Sequence, residues 1–259
     1  MKPVSLFLTA FCDCQKNRLE VGWRAWGRRE QSWGMDRVVI DGYIGHAQVW
    51  RELRKELGRR WKHESGAEMT LGMAFVDGGA YAEDVYRFFQ ELSRNPEPNV
   101  NGHCYASKGM GVHPHPIVTH GKLNTIAKTL KGRYIGTWQA KDRIYERLRM
   151  ESDGKEVPEG YMHFNKRYAE EYFQGLTIET ATQKINGAEI YNTYKDEVSG
   201  NEALDIEVGN FAALRLHPKN WESLERLIEQ DAADRASVSA GGAPEPRKIR
   251  QLVRVGGML

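Results

Sequence analysis

The stretch from Gly200 to Leu216 constrains the fold more than any other, because its spacing predicts a helix that has to be buried. Asn201, Glu202 and Asp205 fall on one side of a 3.6-residue wheel, and that side continues through Gly209 and Ala212. Small residues one and two turns below Asp205 let such a helix lie close against a sheet, while Leu204, Val208 and Phe211 form an adjacent apolar stripe that packs it there. A buried helix therefore carries acids at its start. An ionised carboxylate in a packed interior is costly unless a cation answers it, and a divalent metal is the commonest answer where no Lys or Arg shares the face. The competing reading makes Glu202 a first-turn residue favoured by the helix dipole and leaves Asp205 on an exposed rim. This helix alone does not separate the two.

A helix of this kind needs a sheet, and the first forty residues supply its beginning. Pro3 to Gln15 is an apolar run with one acid, Asp13, near its end, as suits a central strand buried on both faces. Side chains alternate along a strand, so Cys12 and Cys14 face away from Asp13 and pack as small hydrophobes rather than joining it in a metal site. Arg18 to Glu30 and Gln31 to Gly42 follow as strands separated by Lys16-Asn17 and Arg28-Arg29-Glu30, which predicts an antiparallel meander. Trp23, Trp26 and Trp33 are read as sheet-face packing rather than base-stacking platforms.

Between Gly45 and Arg59, Val49, Trp50, Leu53 and Leu57 recur at helical spacing with Gly58 at the stop. The same segment carries a basic cluster around Arg54, which is either a solvated face or a contact to nucleic acid. Met69 to Asp77 is another apolar run ending in an acid, followed by Gly78-Gly79 and a helix from Ala82 to Leu92. Ligands gather at the carboxyl ends of strands in such units, where Asp77 would lie. Val100 to Met110 ends in a Gly-rich segment holding Lys108, expected in a turn, either exposed or touching phosphate. His113, His115 and His120 are read as loop histidines, since the neighbouring prolines hold them extended and no Cys or carboxylate stands at ligand spacing.

Further on, Arg133 to Thr137 and Ala140 to Leu148 read as strand then helix, with Thr137 as the cap. Tyr161 to Phe164 is a short strand, Tyr168 to Leu176 a short helix, and Ile190 to Glu197 an extended piece. Trp221 to Ile228 is an amphipathic helix, and from Ser237 onward the chain reads as a flexible basic tail. The expected division is thus 1–236 as one α/β domain and 237–259 as tail.

Composition narrows the class. The 259 residues carry a net charge of +2, too near neutrality for a bulk electrostatic footprint on nucleic acid, although local basic clusters remain open. Three cysteines do not pair into a disulfide framework, which favours a reducing compartment. No run spans a bilayer and none reads as a signal peptide, so a soluble intracellular protein is expected. There is no internal repeat and no GxxxxGK[ST] loop for a nucleotide triphosphate.

Three strands, a helix, a strand, a helix and a late acidic helix, with acids on the first strand, the fourth strand and the late helix, form an order similar to the ribonuclease-H-like fold, an α/β mixed sheet with flanking helices. Within it the chain more closely resembles the nuclease domain of the large terminase subunit of tailed bacteriophages, in the lambda-like group. The resemblance rests on an ordered set of short matches. They are Leu8-Thr9-Ala10 leading to Asp13 and Gln15, Arg18-Leu19-Glu20, Trp26-Gly27 with Glu30 and Trp33, Gly66-Ala67-Glu68-Met69, Val76-Asp77-Gly78-Gly79 and Lys108-Gly109. Later come Ala140-Lys141-Asp142 with Ile144-Tyr145, His163-Phe164, Glu171-Tyr172-Phe173 and Asn201-Glu202-Ala203-Leu204-Asp205 with Ala212 to Arg215. Cys12 departs from the branched aliphatic usual in the family, and Gly200 from a common basic residue.

The resemblance implies that Asp13, Asp77 and Asp205 are the metal ligands, with Glu202 as a fourth acid or a supporting group. It implies two Mg2+ or Mn2+ ions, since two hard cations between carboxylates activate a water and stabilise the leaving oxygen of a phosphodiester displacement. It further implies an endonuclease cutting concatemeric phage DNA in the host cytoplasm during genome packaging. Lys108, Arg54 and Lys141 are the expected DNA contacts. An ATPase motor domain, a small terminase subunit and a procapsid portal are the implied partners, and the chain reads as a nuclease domain without the motor. A resolvase or ribonuclease-H enzyme, and a non-catalytic docking module, are the alternatives.

Overall fold

The computed structural model describes residues 5–111, 114–125, 129–153, 155–183, 189–193, 200–216 and 220–239. The chain opens with strands β1 (Phe7–Gln15), β2 (Arg18–Trp26) and β3 (Ser32–Asp41), then helix α1 (Ala47–Leu57) and the two-residue strands β4 (Trp61–Lys62) and β5 (Glu68–Met69). Next come β6 (Met73–Asp77), α2 (Ala82–Arg94), β7 (Cys104–Met110), β8 (Val118–Asn124), β9 (Thr129–Gly136) and α3 (Thr137–Leu148). The last third holds β10 (Met162–His163), α4 (Glu170–Thr177), β11 (Glu179–Gln183), β12 (Glu189–Thr193), α5 (Glu202–Leu214) and α6 (Trp221–Ser239).

Eight strands form one mixed sheet in the order β10-β3-β2-β1-β6-β7-β9-β8. The meander expected at the start is present: β1 pairs antiparallel with β2, and β2 with β3. β6 then joins β1 in parallel, and β7 and β9 extend the parallel half. β1 is buried on both faces along all but its last residue, as its apolar run requires. The free thiols Cys12 and Cys14 lie in the core on the side away from Asp13.

Two cores result, one on each face. α1 and α2 cover one with Trp50, Leu53, Val85 and Phe88; α3, α4 and α5 cover the other with Ile144, Leu176, Leu204 and Phe211. α6 reaches both, since Leu224 packs against the second core and Ile228 against the first. Trp23 and Trp26 are each 1% exposed, so both are packing residues.

α5 is buried over nearly its whole length and lies close on the sheet. A Cβ on Gly209 would stand 1.8 Å from the Phe11 ring, and one on Gly22 of β2 would stand 2.1 Å from Ile206. Glycine is required at both, because any side chain would force helix and sheet apart. Asn210 locks the contact by donating to the carbonyls of Gly22 (3.1 Å) and Ile206 (3.0 Å) and accepting from the Thr9 hydroxyl (2.6 Å). Arg24, fully buried, faces Glu207 of the same helix with Nη2 donating to Oε1 at 2.8 Å, and Tyr172 donates to that oxygen at 2.5 Å. Each buried charge is thereby answered.

Four expectations are corrected. Thr137 is not the cap of α3: Gly136 holds that position, and the Thr137 hydroxyl donates to the carbonyl of Met110 instead. Lys108 lies within β7 rather than in a turn, and His120 within β8 rather than in a loop; His113 falls outside the described residues. The basic tail does not begin at Ser237, because α6 continues through Ser239; residues 240–259 lie outside the described residues. The extended piece expected from Ile190 to Glu197 is a strand, β12, as far as Thr193, and the rest falls outside the described residues. No helix among the described residues is long and apolar enough to cross a membrane.

Candidate active site

Register brings the first two acids together. Cys12 pairs with Val76 across the parallel β1 and β6, so the next residues, Asp13 and Asp77, stand side by side at the carboxyl ends of neighbouring central strands. Both point to the face that α5 covers, because Phe11 and Phe75, two residues back on each strand, lie in that core. α5 begins at Glu202 and presents Asp205 from its first turn toward the same end.

The electrostatics record this convergence. Burial pushes the Asp13 carboxyl up to about 6, opposed by the Gln15 amide that donates to it at 2.6 Å and reinforced by the charges of Asp77, Glu20 and Glu202. Burial raises Asp77 as well, against the Gly79 amide donating at 3.1 Å and the nearby charge of Lys108. Asp205 rises to about 7, chiefly by burial; Lys141 lowers it, while Asp13, Glu179 and Asp77 push it further up. Its side chain is 35% exposed, so solvent reaches it from one side only while protein and like charge surround the rest.

Two ion-paired groups frame the three aspartates. On one side Glu20, 1% exposed and directly opposite Asp13 on β2, is held by Arg18 (2.6 Å) and Arg37, and Arg18 also reaches Glu202 at 3.0 Å. A cavity of about 180 Å³ opens here, lined by Arg18, Arg37, Glu171, Gly200 and Glu202. Glu202 thus stands at the rim, answered by arginine, as a supporting acid. On the other side Lys141, expected to face DNA, is buried: its ammonium lies 2.5 Å from Glu179 and 3.8 Å from Asp205. Asn201 donates to the other Glu179 oxygen at 2.9 Å. The cation that the face of α5 lacks in sequence is supplied by α3.

Sequence reasoning missed Glu20 and Glu179. Glu20 was legible, because the two-residue Lys16-Asn17 turn sets the hairpin register that puts position 20 opposite position 13. Glu179 carried no such signal, since its place depends on β11, α3 and α5 meeting. Arg54 sits on α1, across the sheet from the acids, and is not brought to them.

Carboxylate oxygen is the donor that Mg2+ and Mn2+ prefer, so these residues fit such ions in kind. Among the described residues, no three Asp, Glu, His or Cys groups converge tightly enough to form a ready-made cage.

A three-stranded antiparallel meander continued by parallel strands, with helices on both faces and carboxylates gathered at the central strand ends, defines a ribonuclease-H-like nuclease fold. Residues 3–222 match the family described as terminase large subunit gpA, endonuclease domain, and the chain belongs to that family. It is 26% identical over 227 residues to the large terminase subunit of Enterobacteria phage P21, covering 84% of this chain and 33% of that protein. It is 27% identical over 238 residues to that of Escherichia phage lambda, covering 88% of this chain and 36% of that protein. The chain therefore spans about a third of the length of these relatives.

Proposed function

We propose that this chain is a divalent-cation-dependent DNA endonuclease that cuts concatemeric phage DNA during genome packaging. The observation that supports it most is the register of Asp13 beside Asp77 on parallel strands with Asp205 of α5 at the same end, within the span matched to the endonuclease family. Asp13, Asp77 and Asp205 would hold the ions, two Mg2+ or Mn2+ by the donor chemistry. Bound there, such ions supply an activated water and charge neutralisation at the leaving oxygen of the phosphodiester.

The protein's own groups do the rest. Gln15 and the Gly79 amide orient the carboxylates of Asp13 and Asp77. Lys141 keeps Glu179 paired and offsets the charge of Asp205. Arg18 and Arg37 hold the buried Glu20, Arg18 holds Glu202 at the rim, and Lys108 beside Asp77 offers a cation to a phosphate. Duplex DNA is the substrate in this reading. An ATPase motor, a small terminase subunit and a portal would be its partners, in the host cytoplasm.

Supercoiled-plasmid cleavage tests it. The purified chain should nick and linearise plasmid with Mn2+ or Mg2+ and not with chelator, and Asp13→Asn, Asp77→Asn and Asp205→Asn should each abolish the activity. Cleavage that persists in chelator, or in all three variants, would overturn the proposal.

A further inference from the structure

The hairpin of β8 and β9 at the sheet's edge is not used by the chemistry above, and its two faces differ sharply. One face carries Leu123 and Leu130, which belong to or pack against the core under α1 and α2. The other presents His120, Lys122 and Asn124 from β8 and Thr129, Lys131 and Arg133 from β9, with no acid among them. Lys122 stands directly opposite Lys131 in the antiparallel ladder, and both are exposed. Like charges placed directly across a ladder repel and destabilise the pair. Among the described residues, no carboxylate forms an ion pair with either. Several exposed arginines elsewhere have carboxylate partners, Arg60 with Glu68 and Arg28 with Glu225 among them, whereas other surface cations among the described residues, such as Lys16, Arg51 and Lys166, stand without one; what sets the hairpin apart is that two lysines face each other directly across a ladder.

The hairpin also has a defined position. β9 pairs with β7 only through Arg133–Gly136, and the distal half continues past that ladder. There Leu123 is pressed against the turn that follows Asp77, its methyl 2.1 Å from where a Cβ on Gly78 would stand. Lys108, exposed on the neighbouring β7, directly follows Ser107, which pairs with Asp77 across the parallel strands. Lys131 and Arg133 share their face of β9 with Ile135, which packs in the core under α5, so the cationic face of the arm is the face on which Asp13 and Asp77 lie.

We infer that the β8–β9 hairpin is a DNA-backbone arm, with Lys122 and Lys131 gripping phosphates of the duplex on the Asp77 side of the cleavage centre. The inference rests on the nuclease reading and extends it to the surface that holds the substrate. A polyanion turns the repulsive lysine pair into a favourable clamp, each contact releasing condensed counterions.

The test is the salt dependence of duplex binding, measured by fluorescence anisotropy in chelator so that no cutting occurs. Lys122→Ala/Lys131→Ala should bind more weakly, and its slope of log affinity against log salt should be shallower than the parent's by about 2, at about 0.9 per phosphate contact. Lys122→Arg/Lys131→Arg should keep the parent slope, and so should Arg94→Ala, at the end of α2 away from the acids. An unchanged melting temperature shows that the alanine variant is folded. A slope equal to the parent's in the alanine variant, or a parent that binds no duplex, overturns the arm. If the parent cleaves plasmid while the slopes are equal, the arm alone fails; if the slope falls as expected but nothing is cleaved, the nuclease reading alone fails.

Discussion

Asp13 shows what an acid in a central strand costs before it has a cation. Its carboxyl is raised to about 6 and that of Asp205 to about 7, against 3.8 for the unfolded chain. The folded protein therefore holds these protons more tightly than the unfolded one. Their contribution to stability is complete below about pH 4 and is lost as pH rises through 6 to 7. Metal-free protein should accordingly melt lower at pH 8 than at pH 5. Asp13→Asn should flatten that dependence and raise stability at pH 8 by roughly 1–3 kcal/mol. Denaturant melts in chelator at the two pH values check this, and a variant with the parent's pH dependence would contradict it. Asp13 and Asp77 stood out in the sequence as single acids near the ends of apolar strands, and the register brings them side by side. Lys141 was misread because a lone helical lysine looks like surface until Glu179, far along the chain, is seen to meet it.

At the scale of the element, α5 is positioned by what it lacks. Gly209 meets the Phe11 ring, and Gly22 receives Ile206. Gly209→Ala improves helix propensity by about 1 kcal/mol, yet its methyl would stand 1.8 Å from a ring buried in the core. Overpacking of that kind costs roughly 1–3 kcal/mol, so steric repulsion outweighs propensity. The variant should unfold at lower denaturant and cleave more slowly, since lifting the helix moves Asp205, one turn above, away from Asp13 and Asp77. A variant as stable and active as the parent would show that the helix has room to spare. The small-residue face of this helix was readable in sequence, and its consequence holds. β8 was not, because His120, Gly121 and Lys122 have weak strand propensity and acquire their ladder only by pairing with β9.

For the whole molecule, the sheet joins two halves that meet at the acids: the meander supplies Asp13, the parallel half supplies Asp77, and α5 clasps both. On the proposed function, a cation held by all three would tie these parts together and stabilise only the folded state. Mn2+ at about a hundred times its dissociation constant should therefore raise unfolding free energy by about 2.7 kcal/mol. Calorimetric scans should show this as a rise in melting temperature that Asp205→Asn abolishes; an equal rise in both proteins would place the ion elsewhere.

The sequence by itself determined the opening meander, the main helices and the burial of β1 and α5, and it singled out Asp13, Asp77 and Asp205 as candidates, because alternation, helical spacing and the cost of a buried charge are local properties of the chain. Only the tertiary structure decided that Lys141 and Glu179 pair beside Asp205, that Glu202 is answered by Arg18, and that Lys122 and Lys131 face each other across the β8–β9 ladder. Each depends on residues distant in sequence reaching one another in space, and a charge declares its partner only once the fold has chosen its neighbours.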